Sequence, residues 1–307
     1  MKVTIDNKTK RGEIPMEVKI AVIGGSGLYK IDNASLIEEI DVPTPFGMPS
    51  DLISIMDIGG IKTAFLPRHG RGHRYTPTEV PSEANIWALK SLGVQQIISI
   101  SAVGSLKEKY KPGDFVILDQ LIDRTKSRAN SFFREGIVGH VQFAEPFCPT
   151  MREKLTEILT ARYSKNQEGR TFHKQGTLVV MEGPLFSTKA ESELYRSWNA
   201  DLIGMTALPE AKLAREAEIC YATIAMVTDY DCWHEEKESV SADMVMETMN
   251  KNIRAVKEIL PEAIKSVTSI ADCSCRHAAE NAIVTEPSLI PYETKRKLSL
   301  FYSKYWD

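Results

Sequence analysis

Residues 18–29 read VKIAVIGGSGLY. A mostly apolar run climbs into Gly24-Gly25-Ser26-Gly27 and stops. That is the pattern of a buried strand ended by a tight turn. The same grammar recurs along the chain. Strands are expected at 19–23, 63–66, 96–101, 115–118, 178–181, 202–205 and 221–227, several of them apolar throughout, as strands covered on both faces are. Helical patterns fall between them at 83–92, 151–162, 189–198 and 209–217. The longest helical pattern is 242–264, where Val245, Met249, Ile253, Val256 and Leu260 share one stripe and Ser241 is placed to cap. The alternation predicts a single α/β domain, a mixed central sheet flanked by helices on both faces. Residues 1–17 read as a polar extension, 18–267 as the α/β domain and 268–307 as a C-terminal appendage where the periodicity fades.

The 307 residues are 43% hydrophobic and 26% charged, with a formal net charge of −3. That balance gives no general attraction to nucleic acid or anionic membrane. No apolar stretch reaches the roughly 18 residues needed to span a bilayer, and the polar start lacks a signal-peptide centre. A cytoplasmic protein is expected. Of the five cysteines, Cys148, Cys220 and Cys232 look scattered, while Cys273 and Cys275 sit together in DCSCRH. A structural zinc site needs four ligands and usually wider pairs. His277 is near, but no second Cys/His pair is visible. The pair therefore reads as a surface or redox-active one, and neither metal nor cofactor is expected.

Which anion the glycine turn receives is narrowed by elimination. A dinucleotide loop requires G-x-G-x-x-G and an acidic residue about 20 positions on; here Lys30 takes the third glycine's place and the later stretch reads TPFG. A triphosphate loop requires Gly-Lys-Ser/Thr after the turn, and none follows. What remains is one hydroxyl, Ser26, among backbone N–H groups, suited to a small anion, or else an ordinary turn. RHGRGH at 68–73 follows a strand and offers guanidinium forks beside flexible backbone, although a solvated basic loop would look the same. The strand at 96–101 ends in Ser101-Ala102-Val103-Gly104, and LIGMT ends on Thr206. Ligands in open α/β sheets gather beyond strand carboxyl ends.

A fifth strand end, Thr228-Asp229-Tyr230-Asp231, adds two carboxylates two residues apart, which extended chain points the same way. It too could be a plain solvated turn. In a partly apolar pocket, however, one of two close carboxyls holds its proton toward neutral pH. Phosphate beside a proton-donating Asp suggests phosphorolysis of a glycosidic bond. Phosphate attacks C1′ of a ribose while the base departs with a proton at its ring nitrogen. Asp229 is the expected donor to purine N7 and Asp231 the reader of a 6-amino group. Arg68 and His69 would orient the phosphate and balance its charge.

The chain resembles the 5′-methylthioadenosine phosphorylases of the trimeric purine nucleoside phosphorylase family. The resemblance runs over about 19–267, through GGSGL, TPFGMPSD, RHGRGH, ANIWALK, PGDFVILDQLIDRT, AEPFC, EGPLFST, GMTALPE and CYATIAMVTDYDCW. It implies phosphate contacts from Ser26, Arg68, His69, Ser101, Ala102 and Thr206, with Ser26 and Ser101 standing where relatives often carry Thr. It implies that Met205 lies along the ribose, Phe186 near the base and Ser187 at a purine-specificity position, and that Asp229 and Asp231 form the base-recognition pair. His140 falls on a residue supplied to the 5′ end of the substrate by a neighbouring subunit. Ala242 and Val245 fall on the 5′-alkylthio pocket, roomier here because many relatives carry a larger residue at 242.

The family's activity is release of adenine and 5-methylthioribose 1-phosphate. Its partners are a nucleoside and inorganic phosphate as co-substrate, in a trimer or dimer of trimers. The rival reading is a purine nucleoside phosphorylase acting on adenosine, inosine or guanosine. Leu185, where an Arg is frequent, departs from the family pattern, and the CSC tail is absent from the animal enzymes.

Overall fold

The apolar runs become the middle of one mixed sheet. The structure is a computed structural model that describes residues 2–4, 18–25, 28, 34–163, 170–234 and 242–306, backbone alone at 2–4 and 242–246. Ser26 and the expected cap Ser241 lie outside the described residues. In chain order the elements are β1 (Lys2–Thr4), β2 (Ile20–Gly24), β3 (Ala34–Asp41), β4 (Ile53–Ile58), β5 (Ile61–Pro67), α1 (Ser82–Ser91), β6 (Gln96–Ser105), β7 (Phe115–Ile117), β8 (Gln120–Arg124) and α2 (Pro149–Tyr163). Then follow β9 (Phe172–His173), β10 (Thr177–Met181), α3 (Lys189–Ser197), β11 (Leu202–Gly204), α4 (Glu210–Glu216), β12 (Cys220–Tyr230), α5 (Ala242–Thr268) and α6 (Tyr292–Tyr302). Each strand and helix expected from the sequence is present. β1, β3, β4, β8, β9 and α6 are additional.

The sheet runs β1-β3-β4-β5-β2-β6-β11-β10-β8, with β12 pairing both β6 and β7, and β9 extending from β7. β2 shows why its neighbours stay in register. Ala21 and Ile23 pack with α1, α4 and α6, while Ile20 and Val22 pack with α2 and α5. A one-residue slip would exchange the two faces, and each fully buried Ile contributes about 1.5–3 kcal/mol. β12 divides in the same way, Tyr221, Ala225 and Val227 on one side and Cys220, Ala222, Ile224 and Met226 on the other. The α5 stripe is real where side chains are described: Val256 and Leu260 are fully buried, and Met249 and Ile253 pack beside them.

The described residues from 268 to 306 include several packed onto this domain. Leu298, Phe301 and Tyr302 of α6 join the core, and the Tyr302 hydroxyl donates to Glu216 O at 3.0 Å. Cys273 and Cys275, expected as a surface or redox-active pair, are not at the surface: both are buried, on the α2–α5 side of the sheet. No helix among the described residues is long and apolar enough to cross a membrane.

Candidate active site

The glycine turn and the basic loop meet because β2 and β5 are parallel neighbours, with Gly24 opposite Pro67. The Arg68 N–H donates to Gly24 O at 3.0 Å. A Cβ on Gly24 would lie 2.4 Å from Leu28 Cδ1, so this corner accepts only glycine without repacking. Arg68, 3% exposed, turns its side chain inward. Nε and Nη2 grip Glu210, each at 2.9 Å, while Nη2 also reaches Ser99 Oγ (2.7 Å) and Nη1 reaches Ile100 O (3.1 Å). Tyr221 completes the network by donating to Glu210 Oε1 at 2.8 Å. The guanidinium charge is thus already matched, and among the described residues one Nη1 hydrogen has no partner.

His69 lies 2.9 Å through Nδ1 from Tyr75 O and stacks on His73, ring centroids 4.2 Å apart. A carbonyl only accepts, so Nδ1 carries the proton and Nε2 is left as an acceptor. Burial, with Arg68 nearby, pushes His69 down to about 4. The imidazole is neutral near pH 7. Its Nε2 is an acceptor, and the ring adds no charge of its own to this corner.

β11 runs antiparallel to β6, Leu202 opposite Ser105 and Ile203 opposite Gly104. The chain leaving β11 therefore returns alongside Ser101, and Ser101 Oγ and Thr206 Oγ1 lie 3.1 Å apart. Sequence alone had these as separate strand ends; the antiparallel pairing makes them one hydroxyl pair. Ala102 is the next residue of β6. Arg128 holds this corner from behind. Its Nη1 donates to Leu208 O (2.6 Å) and to Met205 O, and its Nη2 to Met181 O (3.2 Å) and Glu182 O (2.5 Å). Gly183, at φ +70, makes room for Met205, whose Sδ would lie 2.5 Å from a Cβ there.

The acidic pair comes from a bulge. β12 runs parallel to β6 in register until Val227 faces Val103, and then Asp229 faces Gly104, leaving Thr228 extra. A bulge bends a strand end and re-aims its side chains. Thr228 Oγ1 lies 2.6 Å from Asp229 Oδ2 and 3.2 Å from Val103 O. The Asp231 N–H donates to Ser105 O at 3.0 Å. Both acids stand over Gly104: a Cβ there would lie 3.1 Å from Asp229 Oδ1 and 3.7 Å from Asp231 Cβ. Burial, with the Asp231 charge adding, raises the Asp229 carboxyl to about 6. Burial raises Asp231 as well, against the hydroxyls of Ser192 and Ser187. Gly104→Ala puts a methyl against the Asp229 carboxylate. We expect a several-fold fall in turnover with the fold intact, read by steady-state kinetics beside circular dichroism; unchanged kinetics would show that the carboxylate tolerates displacement.

The remaining sequence-predicted residues are less tightly knit. Ser187 is buried, with Oγ 3.6 Å from Met181 Sδ. Phe186 (62% exposed) and Leu185 (81%) stand out from the loop between β10 and α3. His140 is exposed, and its N–H donates to Ala282 O at 2.8 Å. No described contact joins it to the Ser101–Thr206–Asp229 group of its own chain. Ala242 and Val245 lie in the first turns of α5, their side chains outside the described residues. Glu210 and Arg128 escaped the sequence reading, and Gly104 was read only as part of a strand end. Glu210 and Gly104 sit in stretches already singled out, but nothing in a sequence tells a buried charge from a surface one.

Residues 19–265 match the model of the phosphorylase superfamily. The chain belongs to that superfamily. It is 51% identical over 291 residues to the S-methyl-5′-thioadenosine phosphorylase of Thermosynechococcus vestitus, covering 94% of this chain and 100% of that protein. Against the protein of the same description from Hyperthermus butylicus the figures are 49% over 273 residues, 88% and 97%. A methylthioadenosine phosphorylase from an antarctic soil metagenomic library superposes with TM-score 0.86 at 45% identity, covering 93% and 99%. Methylthioadenosine phosphorylase from Schistosoma mansoni in complex with adenine gives 0.76 at 36%, covering 94% and 98%. As a superfamily member, this phosphorylase carries its hydroxyl pair, buried Arg and acidic pair where β5, β6, β11 and β12 converge.

Proposed function

We propose that this phosphorylase cleaves 5′-methylthioadenosine with inorganic phosphate, giving adenine and 5-methylthioribose 1-phosphate. The observation that carries the reading is Asp229, raised to about 6 beside Asp231 and close along β6 to the Ser101–Thr206 pair. A carboxyl with that affinity donates a proton near neutral pH. Phosphate sits against the Ser101 and Thr206 hydroxyls, the Ala102 backbone and Ser26, with His69 Nε2 accepting from its hydroxyl and Arg68 fixing the corner. Its oxygen bonds to C1′ as the C1′–N9 pair withdraws into the purine, and Asp229 gives its proton to N7. Asp231 accepts from the 6-amino group, Met205 lines the ribose, and Phe186 and Ser187 lie toward the base. Phosphate is a reactant, so this step requires no cofactor.

Ala242 and Val245 line the 5′ pocket, and His140 of a neighbouring subunit closes it in a trimer or dimer of trimers. Two features support an exchanged His140: its separation from its own chain's acidic pair, and the exposed Val138 and Val284 beside it. A methylthio group on the substrate agrees with the activity for which the similar proteins are named. The reaction belongs to salvage of purine and methylthioribose in the cytoplasm. Adenine release is measured with and without phosphate on methylthioadenosine, adenosine and inosine. We expect strict phosphate dependence and preference for methylthioadenosine; release without phosphate would overturn phosphorolysis, and an inosine preference would favour the 6-oxopurine reading.

A further inference from the structure

Four of the five cysteines are not scattered. Cys148, Cys220, Cys273 and Cys275 bring their Sγ atoms within 4.8 Å of one another, all buried. They come from three places: the residue before α2, the first residue of β12, and the CSC turn after α5. We propose that these four thiols form a structural zinc site, binding one Zn2+ as a tetrahedral tetrathiolate. With Zn–S bonds of about 2.3 Å, tetrahedral sulfurs stand about 3.8 Å apart. The Cys148–Cys273 separation is 3.4 Å, and the others fall within the 4.8 Å limit. That spacing suits a single ion; a multi-iron cluster spreads its thiolates over several metal atoms.

The surroundings favour thiolate. Cys148 caps α2, receiving the Met151 N–H on its sulfur at 3.5 Å, and its carbonyl accepts from Arg152. A helix N-terminus stabilises negative charge. Zn2+ with four thiolates carries a net −2, and two basic side chains are anchored on backbone close in sequence to the cysteines. Lys90 Nζ donates to Ala217 O (2.7 Å), three residues before Cys220. Arg276, next to Cys275, bonds Ile270 O and Ala271 O. A divalent ion lets all four ionise, their protons leaving to solvent. The total burial leaves no open coordination position, so the role is structural.

The ion would pin the C-terminal segment to the sheet. Just beyond the CSC turn, the Ala279 N–H donates to Glu218 Oε1 at 3.1 Å, and Ala282 O receives the His140 N–H. The pin therefore also steadies the loop carrying His140.

The test is metal content of the full chain, purified in reductant without a chelating tag. Mass spectrometry of metals is expected to give about one zinc per chain. Mercurial titration should release that zinc as the thiols react, whereas Cys232 reacts independently. Cys275→Ser and Cys148→Ser should each lower zinc at least about tenfold. Zinc-free wild-type protein overturns the proposal, whether its four thiols titrate freely, are paired as two disulfides, or hold iron. The wild-type measurement decides the matter even if the variants do not fold.

Discussion

Asp229→Asn is expected to lower kcat about 10²–10⁴-fold while leaving nucleoside KM within a few-fold. An amide keeps the shape and a hydrogen bond to Thr228 but has no proton to give. The same change should make the protein more stable. The Asp229 carboxyl is raised from 3.8 to about 6 by burial and by Asp231. Relative to the unfolded chain, its protonated form contributes stability that is fully present below pH 3.8 and is lost as pH rises through 6. The ionised wild type thus carries a cost approaching about 3 kcal/mol at pH 7. Asn carries none of it, so the variant should gain Tm progressively from pH 4 to 7 and gain nothing at pH 3.5. kcat/KM of the wild type should fall above an ionisation near 6 that the variant lacks. Full activity in Asp229→Asn, or a Tm gain independent of pH, would remove the proton-donor role.

Arg68→Met should destabilise the fold by about 3–5 kcal/mol, because it leaves the Glu210 carboxylate buried without its partner. Glu210→Leu should cost a similar amount by stranding the guanidinium and the Tyr221 hydroxyl. The double replacement is expected to be more stable than either single one, since it removes both buried charges together. Urea unfolding of the four proteins closes the cycle. Additive losses would mean that the two side chains act independently. Arg68→Lys should not rescue, as an ammonium cannot reproduce a fork that holds Glu210, Ser99 and Ile100 O at once.

The sequence was informative where the chain is buried on both sides. The middle strands, β2, β6 and β12, announce themselves as apolar runs because each face meets a helix layer. β3 (ASLIEEID) escaped because its side chains are mostly exposed or half-buried, with Glu38 and Glu39 interrupting any alternation. α6 escaped for a related reason: only Thr294, Leu298, Phe301 and Tyr302 are buried in a surface otherwise polar. At the site, the residue types were legible but their joints were not. Ser101 and Thr206 are 105 residues apart, and only antiparallel pairing of a three-residue strand brings them together. Cys148 and Cys220 were legible one by one; their meeting with Cys273 and Cys275 depends on where α2 and β12 begin.

The Arg68–Glu210 pairing also bears on how an anion arrives. With the guanidinium neutralised from within and His69 uncharged, neither side chain brings an unmatched positive charge to this corner. On the proposed reading, phosphate is then selected by the fit of hydroxyls and backbone N–H groups rather than by these two side chains' charge. Its association is then expected to depend only weakly on ionic strength, which phosphate KM measured across salt concentrations checks. Of the two residues that looked in sequence like a cationic trap, one is matched from within and the other is uncharged.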